Sequence, residues 1–331
     1  MAAFREISPS DLDPCVALWN ACCGGPRRLL YAQLTAQSFR SLFLDPVDGV
    51  RKISLVAELA REVVGFANGA VRDGAPRAYI TIILVREDAR RRGIGKELLA
   101  RLENALERAA GGSAVDLEVM FFNPVALTWL IPDAGSHDHP NAPGVDVACD
   151  GYVFLKNFGY RDIAYQNSYY LPLSNYAFPP DIRVKIGELA DDGIRIVRFD
   201  PTRHDTFDEL FSDLANDEWR GIVTANCAPG GAGDPIVIVE HGSRVCGFAG
   251  PLRVQESGRG YFAGIGVHSD YRGRGAGKVL FASLCMGLKE AGAEFMSLFT
   301  GETNPARNIY EAAGFKIVRT WADMRKARRK E

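Results

Sequence analysis

Residues 272–278 read Arg272-Gly273-Arg274-Gly275-Ala276-Gly277-Lys278. The run before them, 261–267, is apolar and reads as a buried strand. The run after them carries Val279, Leu280, Leu284 and Leu288 at helical spacing. The order is therefore strand, basic glycine-rich turn, helix. Such a turn aims orphan backbone N–H groups and the positive end of a helix dipole at an anion. Glycine lets the backbone come close to a phosphate, and arginine adds charge-assisted hydrogen bonds.

The same arrangement occurs earlier in the chain. Arg90-Arg91-Arg92-Gly93-Ile94-Gly95-Lys96 follows the apolar run 79–85 and precedes a second helical pattern at 97–109. Both copies read Arg-x-x-Gly-x-Gly-Lys. Ile83 and Val85 stand before one, and Ile265 and Val267 hold the matching places before the other. Two copies in one context mark an internal repeat. A nucleotide P-loop needs a further glycine where Arg90 and Arg272 stand, and Ser or Thr where Glu97 and Val279 stand. A dinucleotide fingerprint needs a third glycine where Leu98 and Leu280 stand. Both readings fail at both copies.

The repeat resembles the coenzyme A pyrophosphate loop of the GNAT N-acetyltransferase superfamily, whose motif is Arg/Gln-x-x-Gly-x-Gly/Ala between a strand and a helix. The resemblance implies that the amides of Arg274 to Lys278 cradle the pyrophosphate, and that the Val267 backbone holds the pantetheine arm. A second stretch is more specific. Thr300-Gly301-Glu302-Thr303-Asn304-Pro305-Ala306-Arg307-Asn308-Ile309-Tyr310-Glu311-Ala312-Ala313-Gly314-Phe315 resembles the family's segment of Asn, Ala, helical Tyr and Gly-Phe. It implies that Asn304 lies near the pantetheine or an active-site water, and that Tyr310 lies by the thioester sulfur.

The remaining pattern fits an α/β chain with a mixed sheet in each of two tandem GNAT-type domains. A strand at 4–7, a helix at 11–20, a second helix capped by Thr35 with Phe39, Leu42 and Phe43 inward, a hairpin at 53–70, the strand–turn–helix unit and a strand at 115–122 follow in the family's order. Residues 123–150 form a Pro- and Gly-rich loop containing His137-Asp138-His139, read as polar surface rather than a metal site. A helix at 151–157 and a strand at 163–171 close this half. The expected layout is an N-terminal domain over 1–175, a linker over 176–193 that carries a short helix, and a C-terminal domain over 194–331. The second half repeats the order, with a helix at 206–218 whose outer face is acidic: Asp205, Asp208, Glu209, Asp213 and Asp217. This face reads as solvated, or as a field favouring a cationic amine. Residues 226–234 read as a mobile loop.

The chain has 331 residues, enough for two domains each with its own core. Apolar residues make up 47%, charged residues 24%, and the formal net charge is -2. That balance gives no general attraction to nucleic acid or anionic membrane. No apolar stretch approaches the ~20 residues of a transmembrane helix, and the N-terminus does not read as a signal peptide. Seven cysteines without metal-ligand spacing, including adjacent Cys22 and Cys23, read as reduced thiols. The expected location is the cytoplasm.

Aligning Gly314-Phe315 with Gly159-Tyr160 places Leu155 opposite Tyr310 and Cys149 opposite Asn304. The first half also carries a long extra loop between its turn and Gly159. The resemblance therefore implies a catalytic second half and a first half that keeps a second candidate coenzyme A turn at Val85 and Arg90, Arg91, Arg92, Gly93, Ile94 and Gly95 without the proton donor. The tandem layout is similar to that of mycothiol synthases and several antibiotic-modifying enzymes. The expected reaction moves an acetyl group from acetyl-CoA to a primary amine of a small-molecule acceptor, with no metal and a monomeric chain. Glu240, His241 and His268 are the nearest candidates for a general base. Two other readings stand beside this one: a coenzyme A sensor without transfer activity, and a nucleic-acid binder using Arg90 to Arg92 and the basic tail at 325–330.

Overall fold

The computed structural model describes residues 2–23, 29–75, 77–111 and 115–327. The chain forms two compact units: Met1–Asn167 with Arg319–Glu331, and Ser168–Val318.

The first unit holds β1 (Ala3–Glu6), α1 (Leu12–Cys22), α2 (Ala36–Phe43), β2 (Val50–Leu59), β3 (Glu62–Arg72), β4 (Arg77–Val85), α3 (Ile94–Ala109) and β5 (Asp116–Val119). Short β6 (Trp129–Leu130), β7 (Asp138–His139) and β8 (Val145–Asp146) follow, then α4 (Asp150–Asn157) and the start of β9 (Arg161–Pro172). Strands β1 to β4 are antiparallel neighbours in sequence order, and β4 meets β5 in parallel. Central strands β3 and β4 are buried along nearly their whole length, on both alternating faces, so helices cover both sides of the sheet there. One core packs Ala67, Ile80, Leu98, Leu102 and Leu106 between sheet and α3. The other packs Trp19, Phe39, Phe43, Phe66 and Ile82 under α1 and α2. Cys22 and Cys23 lie buried in it.

The second unit continues with α5 (Pro180–Asp191), β10 (Ile194–Arg198), α6 (Asp208–Leu214), α7 (Asp217–Cys227), β11 (Val237–His241), β12 (Arg244–Ala249) and β13 (Ile265–Val267). It ends with α8 (Ala276–Glu290), β14 (Phe295–Gly301), α9 (Arg307–Ala312) and the beginning of β15 (Lys316–Lys326). Strands β10, β11, β12 and β13 form an antiparallel sheet in that order. Leu280, Phe281, Leu284 and Leu288 of α8 pack on one face with Val237 and Val239. Leu210, Phe211 and Val223 cover Ile238 and Phe248 on the other.

Three features depart from the expected layout. The division falls inside β9 and inside β15, because the chain's last strand completes the first unit: Met324 pairs with Val119 and Arg325 with Glu118 of β5. The expected linker is not a tether, since Ile182 and Leu189 of α5 are buried in the second unit's core. The expected helix at 206–218 is two helices. Ala215 takes a left-handed turn (φ 49°), and the Asn216 side chain caps α7 by accepting from the Trp219 amide at 2.9 Å.

Candidate active site

Strand β13 pairs with β12 through Ile265–Ala249, Gly266–Phe248 and Val267–Gly247. The His268 amide donates to Cys246 O at 2.8 Å. In an antiparallel ladder the amides alternate sides, so the Val267 N–H points to the opposite edge. The segment before β13 meets β14 at an Arg259–Phe295 bridge, with Gly260 N donating to Phe295 O at 2.8 Å. Beyond that bridge β13 and β14 belong to different sheets. The Val267 amide therefore faces an open cleft edge. Glycine is required in and just before β13: a Cβ on Gly264 would lie 2.5 Å from the Trp219 indole, and one on Gly266 2.4 Å from Leu214. The strand expected over 261–267 is shorter, Ile265–Val267.

The turn then reverses into α8. Gly273 and Gly275 both have left-handed backbones, with φ of 78° and 87°. Lys278 N donates to Gly275 O at 3.0 Å, which leaves the amides up to Gly277 as the orphan donors of the helix start. Arg272 does not reach outward as the motif alone suggests. Its Nε donates to Val267 O at 2.8 Å, fastening the turn to the strand it follows. Asp213 of α6 accepts from Ser269 N at 2.8 Å and from Arg272 Nη2 at 3.4 Å. Hydrogen bonds from Ser269 hold its carboxyl below the usual range.

A cavity of about 270 Å³ opens against this turn. Of the residues expected there, Ile265, Val267, Arg272, Gly273 and the run Gly275-Ala276-Gly277-Lys278 line it. Arg274 is half exposed, with Nη1 3.9 Å from Asp192 Oδ2. Asn308 and Ile309 of α9 supply the facing wall.

Tyr310 follows them directly. Its ring is 6% exposed and stands among Phe281 (4.9 Å between centroids), Tyr169 (5.9 Å) and Phe262 (6.2 Å). Among the described residues its hydroxyl has no protein hydrogen-bond partner. Burial, with a smaller contribution from Tyr169, pushes its pKa up to about 12. It therefore stays protonated across the physiological range.

Asn304 is exposed and used locally: its Oδ1 accepts from Ala306 N at 3.0 Å, and its carbonyl accepts from Arg307 N at 3.2 Å, starting α9. The candidate bases are also engaged. Glu240 meets His204 Nε2 at 2.7 Å, His241 Nδ1 meets the Tyr271 hydroxyl at 2.9 Å, and His268 Nε2 accepts from Arg244 at 3.2 Å. Of the five acidic residues at 205–217, Asp205 is engaged on Ser243, Glu209 on Arg244 and Asp213 on the turn. The 226–234 loop is laced rather than loose, since Asn226 Nδ2 donates to Asp234 O at 2.8 Å.

The first unit repeats the turn and then diverges. Arg90 Nε donates to Val85 O at 3.0 Å, and Arg86 N donates to Val64 O at 2.8 Å, which turns the Val85 amide to the β5 side. Gly93 caps α3 with φ 81°, and Ile94 and Gly95 begin that helix. Arg91 takes the left-handed place of Gly273 at φ 61°, a strain of about 1 kcal/mol for a residue with a Cβ. Arg92 is exposed beside it. On α4, Phe154 and Leu155 take the places of Ile309 and Tyr310. The Phe154 ring lies 3.6 Å from where a Gly95 Cβ would stand. The β4–β5 ladder ends at Tyr79–Glu118. Past that point Asn123 Nδ2 donates to Ile80 O at 3.3 Å, and Val125 and Leu127 join Ile82 and Leu84 in the core. The extra loop thus packs onto the sheet where the second unit is open.

His139 is buried with Nδ1 2.9 Å from Asn141 O. Among the described residues no group of three or more His, Cys, Asp or Glu side chains could hold a metal, and no helix is long and apolar enough to cross a membrane. Of the basic tail, Arg325 pairs with Glu118 at 2.6 Å and Lys326 with Glu103 at 2.7 Å. Residues 328–330 lie outside the described residues.

Comparison with known proteins agrees with this geometry. The acetyltransferase (GNAT) family pattern matches residues 19–129 and 198–315. A fungal multi-domain GH3 β-N-acetylglucosaminidase with a GCN5-related glucosamine N-acetyltransferase region is similar over 98% of this chain, with TM-score 0.64 and 18% identity, and this chain covers 38% of that longer one. A GCN5-related N-acetyltransferase from Sphaerobacter thermophilus is similar over 98% of this chain and 95% of its own, with TM-score 0.62 and 15% identity. A tandem GNAT protein of the clavulanic acid biosynthesis pathway covers 100% of both chains, with TM-score 0.56 and 17% identity. No curated protein matches the sequence. With the family pattern matched in both units, the fold shared along the whole length and the turn built twice, the chain belongs to the GNAT acetyltransferase family.

Proposed function

We propose that the second unit transfers an acetyl group from acetyl-CoA to a primary amine of a small-molecule acceptor, and that the first unit is non-catalytic. One observation carries this: in the second unit a cavity joins the phosphate turn, the open edge at Val267 and the helix that bears a buried, protonated Tyr310. In the first unit Leu155 replaces that tyrosine, and packed loop residues occupy the sheet.

The orphan amides through Gly277 and the Lys278 side chain suit the pyrophosphate. The amine nitrogen attacks the thioester carbonyl carbon. The Val267 N–H is the donor for the oxygen that gains negative charge. Collapse of the adduct breaks the C–S bond, and the leaving thiolate takes the Tyr310 hydroxyl proton. The nitrogen releases its own proton to solvent, which restores Tyr310. In water a thiolate (conjugate-acid pKa ~8.5) is a weaker base than a phenolate (~10), and an apolar enclosure raises both. With Glu240, His241 and His268 each held by a partner, a solvent water takes the amine proton. No covalent enzyme intermediate is needed, because the amine is itself the nucleophile.

We read the enzyme as a cytoplasmic monomer without a nucleic-acid or membrane partner. The ion-paired Arg325 and Lys326 and the buried thiols support that reading. The test is incubation with acetyl-CoA carrying a labelled acetyl group and a panel of amino acids, polyamines, aminoglycosides, amino sugars and peptides. Label recovered on a nitrogen of one class supports the proposal. Coenzyme A binding with no label transferred to any class supports a sensor instead.

A further inference from the structure

Helix α5 lies between the two segments that match the family pattern, so the family core does not account for it. It is packed through Ile182 and Leu189, and residues 185, 188 and 192 share a helical face or its end. That face fronts the phosphate turn. A Cβ on Gly275 would lie 2.8 Å from Lys185 Cδ and 3.1 Å from both its Cγ and its Cε. The aliphatic stem of Lys185 therefore lies directly over the residue that caps α8. Asp192, just past the helix, approaches Arg274 at 3.9 Å. The repeat supplies an internal control: the matching glycine of the first unit, Gly93, has no atom within 4 Å of such a Cβ.

The head of Lys185 is paired with Glu188. Both side chains are partly exposed, at 35% and 54%, so the pair can open. The stem lies over the turn, and its head is one pair away from release.

We propose that Lys185 is a phosphate-binding residue of the second unit's coenzyme A site, held by Glu188 until the ligand's phosphates displace it. This rests on the reading of the second unit as a coenzyme A site. The consequence is that α5 adds a cation to one turn of the repeat and not to the other.

The test is calorimetric titration of the full chain with coenzyme A at low and high salt. Lys185→Met keeps the stem over Gly275 and removes the charge. It should weaken binding about 5–10-fold at low salt, the size of one charge-assisted hydrogen bond at a partly exposed site, and the gap should narrow at high salt. Glu188→Gln should bind a few-fold more tightly, because the competitor is gone. Wild-type affinity in Lys185→Met, a loss independent of salt, or weaker binding by Glu188→Gln would each overturn the proposal. If wild-type protein takes up no coenzyme A at all, the transferase reading falls first and this inference with it.

Discussion

Tyr310→Phe removes one oxygen and keeps the ring. Contacts with Phe281, Tyr169 and Phe262 are made by the ring, so the packing stays. The hydroxyl has no protein partner among the described residues, so its loss leaves no buried group unsatisfied. Stability should therefore change by less than about 0.5 kcal/mol. Catalysis should change far more. Loss of a single general acid costs ~10²–10⁴ in rate, or about 3–5 kcal/mol of barrier. The assay is amine-dependent release of free coenzyme A thiol, followed across pH. Because Tyr310 titrates only near a pKa of about 12, the variant's profile should run below the wild type and parallel to it up to about pH 9. A fall of less than three-fold in kcat, or a basic limb that moves with the substitution, would refute the proton-donor role. So would a large drop in Tm, which would make the rate loss a packing effect.

Asp323 and Gly264 offer tests of stability that do not depend on the reaction. Burial pushes the Asp323 carboxyl up to about 6, with Gln166 Nε2 donating to it at 2.8 Å and Glu118 adding repulsion. Its folded pKa lies above its unfolded value of ~3.9, so the folded state holds the proton more tightly and stability is lost as pH rises from about 4 to about 6. At pH 7 Asp323→Asn should be more stable by about 1–3 kcal/mol, with the gain absent at pH 4, as read by denaturant melts. Equal stability at both pH values would contradict it. Gly264→Ala forces a Cβ to 2.5 Å from Trp219, so the second unit should lose about 1–3 kcal/mol and its Tm should fall by several degrees; an unchanged Tm would show that the indole moves freely.

The turn, its strand and its helix were legible because their causes are local. Apolar periodicity, glycine at left-handed positions and a repeated basic cluster lie within a few residues of each other. Tyr310 was legible for the same reason, since a helix motif carries it into the core. What was not legible depends on distant chain. Nothing in the composition of residues 319–326 tells which unit a terminal strand will join. Nothing in the motif shows that the Nε of Arg272 and of Arg90 donates to the strand carbonyls of Val267 and Val85. That the Asn304 Oδ1 starts α9 depends on a turn the motif does not show. The acidic face of 206–218 reads as a field until its partners Ser243, Arg244 and Ser269 arrive from other strands and turns. Helix α7 was the avoidable miss. Asn216-Asp217-Glu218 is a capping residue followed by an acidic first turn, a start signal present in the sequence.

The central claim is that catalysis belongs to the second of two similar turns, and a matched pair of substitutions tests it most directly. Gly277 and Gly95 both lie in the first turn of a helix, where a carboxylate favours the helix by about 0.3–1 kcal/mol yet repels a bound phosphate. A Cβ on Gly277 meets nothing closer than 3.9 Å, and one on Gly95 nothing closer than 3.6 Å, so both chains should fold. We would measure amine-dependent thiol release by wild type, Gly277→Glu and Gly95→Glu over a range of acetyl-CoA concentrations at fixed amine. The account predicts that Gly277→Glu raises KM for acetyl-CoA at least ~10-fold, or 1.4 kcal/mol, with no loss of Tm, while Gly95→Glu turns over like wild type. Loss of turnover in Gly95→Glu with retention in Gly277→Glu would place the chemistry in the first unit and contradict the account.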